Sequence, residues 1–576
     1  MFVTKKNING QDYYYLQKSV REGKQIKSEY IAYLGKDKMQ AEIKAAEIKQ
    51  QKENTSQVES NIIPTRKQIT IEELAMFCKR KGFVYPSGEV YGGLSGFYDY
   101  GHNGILLKRN FENIWRQYFL GLSDNYFEIE ASEIMPENVF IASGHLKNFT
   151  DIAAKSKKGH IERADHLLEK YLKKRVDGLG VEELTSLLKE HKAVCSICQS
   201  LIDYIGPINM MFPVQLGIGT GTKAYLRPET AQSPYVNFKL EHEITRGKLP
   251  LGLALIGRAY RNELSPRNLL LRQRAFTQAE LQIFFNPAKI NEHEDFENIK
   301  KYLLRVVRTN EREKSAQYVS AQELAKEIPK FYVYHMVKVQ QFYFEILKFP
   351  QEKFRFFQLN DKEKAFYNKY HFDMEAELDT LGWTEIGGVH YRTDHDLKGH
   401  QEISKKNLSV TDEETKQKFI PHVLELSFGV DRNFQTLMTF SYSIDEKRQN
   451  TILKLHPKLA PIKAAVFPII KEEQYETIAE HIVKDLKKEF MCVYDRSGSI
   501  GKRYARNDEQ GTPFCITVDD KSPQDQKVTI RDRDTTQQIR VKIKDIKNVL
   551  RKLINEEITF EKAGGKVETR TKENFV

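Results

Sequence analysis

The chain is 576 residues long and carries 90 Lys and Arg against 79 Asp and Glu, a formal net charge of +11. That length allows several domains and a large core, and the basic balance is compatible with a polyanionic partner as readily as with a lysine-rich solvated surface. No apolar run is long enough to span a membrane, the start MFVTKKNINGQDYYY lacks a signal peptide's hydrophobic stretch, and Cys78, Cys195, Cys198, Cys492 and Cys515 make no extracellular disulfide framework. The expectation is therefore a cytoplasmic protein without a membrane partner.

Residues 1–36 hold two β-rich runs, DYYYLQKSV and KQIKSEYIAYLG, around the turn-like Arg21-Glu22-Gly23-Lys24, and read as a hairpin or small sheet. Tyr13, Tyr14, Tyr15, Tyr30 and Tyr33 alternate with Lys5, Lys6, Lys18, Arg21, Lys24 and Lys27. Such a mixture suits unpaired bases and phosphates, and equally a sheet whose tyrosines pack against each other. Residues 37–65 are rich in helix formers and almost free of bulky apolar groups, which predicts an exposed charged helix running into a polar linker.

The next region, 66–455, opens with a predicted helix over 71–82 and the glycine- and aromatic-rich VYPSGEVYGGLSGFYDYGHNG, followed by a helix over 105–120 and the strand-like YFEIEASEIM. Two charged, helical stretches interrupt it, at about 150–205 and 288–350. From 456 to 576 strands and helices alternate: IKAAVFPII, a helix over 477–490, MCVYD, PFCITVD, KVTIRDRD and a closing helix over 543–558. That order predicts a mixed α/β unit with a largely parallel sheet.

Three motifs in the long middle region concentrate chemistry: YLRPETAQ at 225–232, AYRNELSPRNLLLRQRAFTQAE at 259–280 and LELSFGVDR at 424–432. Their arginines and glutamates suit a cleft that holds both a triphosphate and a cationic amine. Arg261 and Glu263 are expected as neighbours on one face of a strand, with Arg272 and Phe276 on the returning strand. A hairpin of that kind grips a nucleotide at both ends, a guanidinium neutralising phosphate and an aromatic ring stacking the base.

These motifs resemble those of the homodimeric class II glycyl-tRNA synthetases, from about residue 66 to the C-terminus. Tyr260-Arg261-Asn262-Glu263 followed by Arg272-x-x-x-Phe276 is similar to the family's second signature, Gly429-Val430-Asp431-Arg432 to the end of its third, and RPETAQ, FTQAE and SGSIGKRYARNDEQGTPFC share its wording. The resemblance implies an α+β catalytic domain on an antiparallel sheet over 66–455, a C-terminal α/β anticodon-binding domain, and a small β-rich N-terminal appendage. It implies that glycine and ATP form an adenylate, with Mg2+ bridging the phosphates, and that glycine then passes to tRNA(Gly).

By the same resemblance, Arg261, Glu263 and Arg432 are the catalytic residues. Arg261 takes the α-phosphate, Arg272 and Arg432 the β- and γ-phosphates, Phe276 and Arg432 sandwich adenine, and Glu263 meets its amino group. Asn262, Gly429 and the pair Glu385-Ile386 complete the nucleotide site. Glu229, Glu280 and Glu425 surround the ammonium of glycine and Ser427 lies near its α-carbon, leaving little room for a β-carbon. Two departures stand out: Ala275 replaces a carboxylate near the nucleotide, and Leu426 replaces a proline and is expected to loosen the backbone beside Ser427.

GIGTGTK at 217–223 lacks the Gly-Lys-Ser/Thr ending of a phosphate loop. Cys195-Ser196-Ile197-Cys198 has zinc-knuckle spacing but needs a second ligand pair. Many relatives carry that pair as Cys-x-x-Cys just before RADHL, where this chain has Ser156-Lys157-Lys158-Gly159-His160; only His160 could help, and a structural zinc is not expected. In the C-terminal domain Lys502, Arg503, Arg506, Arg531 and Arg533 are expected near strand ends, where they would face the tRNA anticodon. Two rivals share parts of this pattern: a non-enzymatic descendant such as a DNA polymerase accessory subunit, and a class II synthetase for proline, threonine or serine. The retained arginines argue against the first, and the set RPET, FTQAE and ExS favours glycine over the second.

Overall fold

The computed structural model describes strands within residues 2–35 and then residues 68–567, apart from 174–175, 177–178, 219–220, 313, 366, 413 and 447–449. The charged helix expected over 37–65 lies outside the described residues. Two units separate, Met1–Lys67 and Gln68–Val576. In the first, β1 (Phe2–Ile8), β2 (Gln11–Glu22) and β3 (Gln25–Gly35) form an antiparallel sheet in that order, with Tyr14 opposite Lys5 and Tyr13 opposite Lys6.

The second unit begins with α1 (Ile71–Arg80), held at its start by reciprocal bonds between Thr70 and Glu73. Helix α2 (His102–Leu120) repeats Leu107, Phe111, Trp115 and Phe119 on one stripe, all buried in the main core. Each such side chain contributes roughly 1.5–3 kcal/mol of burial. After the short strand β4 (Tyr126–Glu128), the first interruption folds as β5 (Thr150–Ser156), β6 (Ile161–Arg163), α3 (Ala164–Leu172), α4 (Val181–Glu190) and β7 (Ile202–Asn209). It is therefore a three-stranded sheet, ordered β7-β5-β6, carrying two helices, where only helices were expected. Leu167, Leu168, Leu184 and Leu188 give it a small core of its own.

Helix α5 (Gln232–Ile244) leads to a long hairpin, β8 (Leu251–Tyr260) and β9 (Ala275–Phe285). Then come β10 (Leu303–Val307), β11 (Gln317–Ser320), α6 (Lys330–Gln341), β12 (Phe354–Gln358), β13 (Tyr370–Leu378), β14 (Gly382–Thr393), α7 (His395–Ser404), β15 (His422–Gly429) and α8 (Val430–Ser441). One nine-stranded sheet collects these strands in the order β11-β10-β12-β13-β14-β15-β9-β8-β4, with antiparallel pairing except at β10/β12 and β8/β4. The stretch 288–350 is thus no insertion into the core but part of it. It supplies two strands to the sheet, and α6 is buried at nine of its twelve positions because FYVYHMV leaves no polar face.

The central strands alternate with period two. In β9, Ala279, Leu281 and Ile283 enter the core while Gln278, Glu280 and Gln282 share the other face; in β15, Leu424, Leu426 and Phe428 do the same opposite Glu425 and Ser427. Leu426, expected to loosen this strand, is fully buried and paired with Leu281 on one side and Val389 on the other. A leucine keeps the ladder donor that proline lacks, so this position stays paired on both sides.

The C-terminal part is built from β16 (Ala464–Pro468), α9 (Glu473–Leu486), β17 (Cys492–Tyr494), α10 (Ile500–Gln510), β18 (Phe514–Val518), β19 (Lys527–Asp532), β20 (Gln538–Lys542), α11 (Ile546–Ile554) and β21 (Gly565–Lys566). The sheet order is β17-β16-β18-β19-β20-β21. Only the first three strands are parallel; β18 to β21 run antiparallel, so the sheet is half parallel where a largely parallel one was expected. This part is tied to the preceding region through Arg533, whose guanidinium donates to the carbonyl of Leu455 at 2.8 Å, and Asn110, which donates to the carbonyls of Leu459 and Ala460.

Candidate active site

A cleft opens at the ends of β9, β14 and β15 and is lined by Arg261, Glu263, Arg272, Phe276, Gln278, Glu385, Ser427, Gly429 and Arg432 among others. Arg261 and Glu263 stand just beyond β8, not on it: Tyr260 is the last paired residue, and a loop with Pro266 and a short helical turn at Leu269–Leu271 joins the hairpin. Arg261 donates to the carbonyl of Pro228 in the RPET turn at 3.0 Å, and its guanidinium lies 5.2 Å from the Phe276 ring centroid and 5.3 Å from that of Phe149. Arg261 therefore lies over the Phe276 ring, and Arg432 lines the same cleft.

The other two arginines are held by carboxylates. Arg272 donates to Glu263 at 2.8 Å and lies 3.8 Å from Asp151 of β5, so the first interruption reaches the cleft. Arg432 pairs with Glu385 at 3.0 Å and donates to the carbonyl of Leu271. The Ile386 side chain is buried in the core, and its carbonyl accepts from Asn433. Asn262 is exposed and does not line the cleft; its backbone N–H donates to Met210. Ala275 pairs with Tyr260 at the mouth of the hairpin.

At Ser427 the arginine-lined part gives way to a buried carboxylate cluster. Across the sheet, one row runs His371, His390, Glu425, Gln282, and the next runs Asp373, Gly388, Ser427, Glu280. Arg392, two residues further along β14 and 1% exposed, binds Glu425 at 3.0 Å, Glu229 at 3.2 Å and Asp396 at 2.9 Å. His390 hydrogen-bonds Glu425 through Nδ1. Burial opposes ionisation of Glu425, but Arg392 and His390 together hold it down to about 2. Burial likewise opposes Glu229, which Arg392 and then His145 hold well below the usual carboxylate range.

Glu280 differs. It accepts hydrogen bonds from Thr230 at 2.6 Å and Ser427 at 2.8 Å but makes no ion pair among the described residues. Burial, with the charges of Glu425 and Glu229 added, pushes its carboxyl up to about 8. The structure thus brings Glu229, Glu280, Glu425 and Ser427 together. It also adds Arg392, His390 and Asp396, which sequence reasoning missed; the only signal was the Arg-x-x-x-Asp spacing of YRTDHD, unremarkable without the tertiary contacts.

The expected RNA-facing cations are mostly internal, which corrects three of the five. Arg531 is 5% exposed and forms a two-bond pair with Asp508; Arg533, 1% exposed, is occupied by Asp534 and the carbonyls of Gly511 and Leu455; Arg503 donates to Pro468. Buried guanidiniums need such partners, and theirs are structural. Lys502 remains exposed, and Arg506 is half-buried on Asp495.

Residues able to hold a metal lie in the first interruption: the ligand atoms of His160, Cys195 and Cys198 all fall within 4.8 Å of one another. A structural zinc takes four protein ligands, and no fourth joins these three among the described residues. No helix among the described residues is long and apolar enough to cross a membrane.

Residues 218–439 match the tRNA synthetase class II core domain (G, H, P, S and T), and residues 463–553 match the anticodon binding domain. Among solved structures, a prolyl-tRNA synthetase from Cryptosporidium parvum with L-proline and AMP aligns with TM-score 0.51 over 86% of this chain and 80% of its own, at 12% identity, a likeness of fold alone. The antiparallel sheet and its arginine-lined cleft are those of a class II aminoacyl-tRNA synthetase. Glycine–tRNA ligases of Pyrococcus furiosus and Archaeoglobus fulgidus are 38% and 36% identical to this chain, each over 84% of it and over 99% and 97% of their own lengths. That of Methanothrix thermoacetophila is 34% identical over 86% of this chain and 98% of its own. The chain belongs to the glycine–tRNA ligase family.

Proposed function

We propose that the cleft divides the work of a glycine–tRNA ligase between two compartments, with ATP against the arginines and the ammonium of glycine against the carboxylates. The glycine carboxylate attacks the α-phosphorus, pyrophosphate leaves, and the resulting glycyl-adenylate passes its glycyl group to the 3′ end of tRNA(Gly) with release of AMP. Arg261, already anchored to the RPET turn, neutralises the α-phosphate as charge develops there. Arg272 and Arg432 exchange Glu263 and Glu385 for β- and γ-phosphate oxygens. Mg2+ fits here: the Glu385 carboxylate, with half its side chain exposed, would hold the ion beside the phosphates and supply further charge neutralisation. No side chain need form a covalent bond, because alignment and electrostatics carry the step.

The observation that carries the glycine assignment is Glu280. Glu229 and Glu425 are already paired with Arg392, so Glu280 is the carboxylate left for an incoming ammonium, and Ser427 bonds it from the cleft side. Lys502 and Arg506 support contact with tRNA through the C-terminal domain. Val90 and Tyr91, 89% and 94% exposed in a glycine-rich loop, support a homodimer interface.

Glycine-dependent pyrophosphate exchange tests the reading. Arg261→Ala should lose about 3 kcal/mol of transition-state stabilisation, the usual size for a key electrostatic donor. Glu280→Gln should raise the KM for glycine far more than that for ATP. Near-normal exchange in the first, or equal weakening of both substrates in the second, would remove that residue from its role.

A further inference from the structure

His390 stands out in the cluster because neither the phosphate chemistry nor the carboxylate charge requires a ring there. Its Nδ1 is bonded to Glu425, and its Nε2 lies 2.2 Å from where a Cβ on Gly388 would stand. The imidazole therefore fills the gap that Gly388 leaves in the row Asp373, Gly388, Ser427, Glu280. Behind it the His371 ring stands edge-on at 4.2 Å and is itself fixed by Asp373 at 2.9 Å. The His390 side chain is 15% exposed while Glu425 is 4% and Arg392 1%, so it is the least buried of the three, and it lies over Gly388, the strand partner of the cleft-lining Ser427.

We infer that His390 is a specificity-determining wall of the amino-acid pocket, an inference that rests on placing the glycine ammonium at Glu280. The ring, braced from both sides, occupies the space beside Ser427 that the side chain of alanine or serine would need. A hydrophobic or steric pocket rejects one extra carbon by roughly 10- to 200-fold, and a rigid ring is the means to do so when the substrate has no side chain to grip.

Pyrophosphate exchange with glycine, alanine and serine tests this in the full chain. His390→Ala should raise the alanine-to-glycine ratio of kcat/KM at least ~10-fold, with the KM for ATP unchanged. His390→Gln, which keeps a hydrogen-bonding group for Glu425 but lacks the ring, should restore much of the glycine KM while leaving the ratio raised, and it carries the test if the alanine variant does not fold. A merely structural role would depress all three amino acids together; an unchanged ratio in the variants that fold would overturn the inference. Glu280→Gln run alongside separates the two readings. If it raises the glycine KM but the His390 variants keep wild-type selectivity, the wall alone is wrong; if it leaves the glycine KM unmoved, the ammonium site lies elsewhere and the wall falls with it.

Discussion

Glu280 and Arg392 show opposite ways of keeping charge in a dry site. The Glu280 carboxyl, raised to about 8 by burial and by the charges of Glu425 and Glu229, holds its proton longer in the folded protein than in the unfolded chain. Its effect on stability is therefore lost as pH rises from the ordinary carboxyl range near 4.5 through about 8. Thermal melts should show the Glu280→Gln protein gaining on the parent between pH 5 and 8.5; a constant gap would contradict the shift. An incoming ammonium favours the ionised form, so glycine binding should release up to about one proton below pH 8, and the KM for glycine should fall as pH rises from 6.5 to 8. The Gln variant should lose that slope. Arg392 is the opposite case: it serves three carboxylates, and removing it takes the shared guanidinium from Glu229, Glu425 and Asp396 in a buried site. Arg392→Ala should cost about 3–5 kcal/mol in urea unfolding, and a loss below about 1 kcal/mol would show that the cluster relaxes around the gap.

Among the elements, the sheet strands were the more legible and the long middle stretches the less. FTQAELQIFF and HVLELSFG alternate polar and apolar residues, so period two announces which side chains share the site face. Helix α2 was legible for the same reason at period four. The stretch 288–350 misled because its basic residues suggested an insertion, while FYVYHMV carries no polar stripe and is buried as part of the core. In the C-terminal part, the cations are indistinguishable in sequence and were expected near strand ends, yet Arg531 on β19 faces Asp508 inside while Lys502 lies on helix α10 and faces solvent. Replacing Arg531 by Ala should lower the melting temperature of the chain, since Asp508 loses its buried partner. Lys502→Ala should leave the melt unchanged and weaken tRNA binding with a shallower salt slope. Equal melting of the two variants would place Arg531 back on the surface.

Over the whole molecule, the cleft-lining arginines Arg261, Arg272 and Arg432 all precede Leu455, and the described residues of the C-terminal part contribute none of the lining. A chain ending at Leu459 that remains folded should still exchange pyrophosphate with glycine while charging tRNA poorly; unimpaired charging would contradict an anticodon role for the removed part. If the exposed Val90–Tyr91 loop is the seat of a homodimer, Tyr91→Glu should shift the mass in light scattering towards the monomer with the melt unchanged.

The sequence by itself determined the family, the strands that carry FTQAE and ExS, and the kinds of charge the cleft would hold, because local periodicity and motif order survive without knowledge of distant contacts. Only the tertiary structure decided how those charges are shared. That Glu229 and Glu425 are paired by Arg392 while Glu280 is not, that Arg531 and Arg533 are internal, and that His390 closes over Gly388 all depend on register between strands far apart in the chain. A carboxylate's state follows from the groups within a few ångströms of it, and those groups are chosen by the fold.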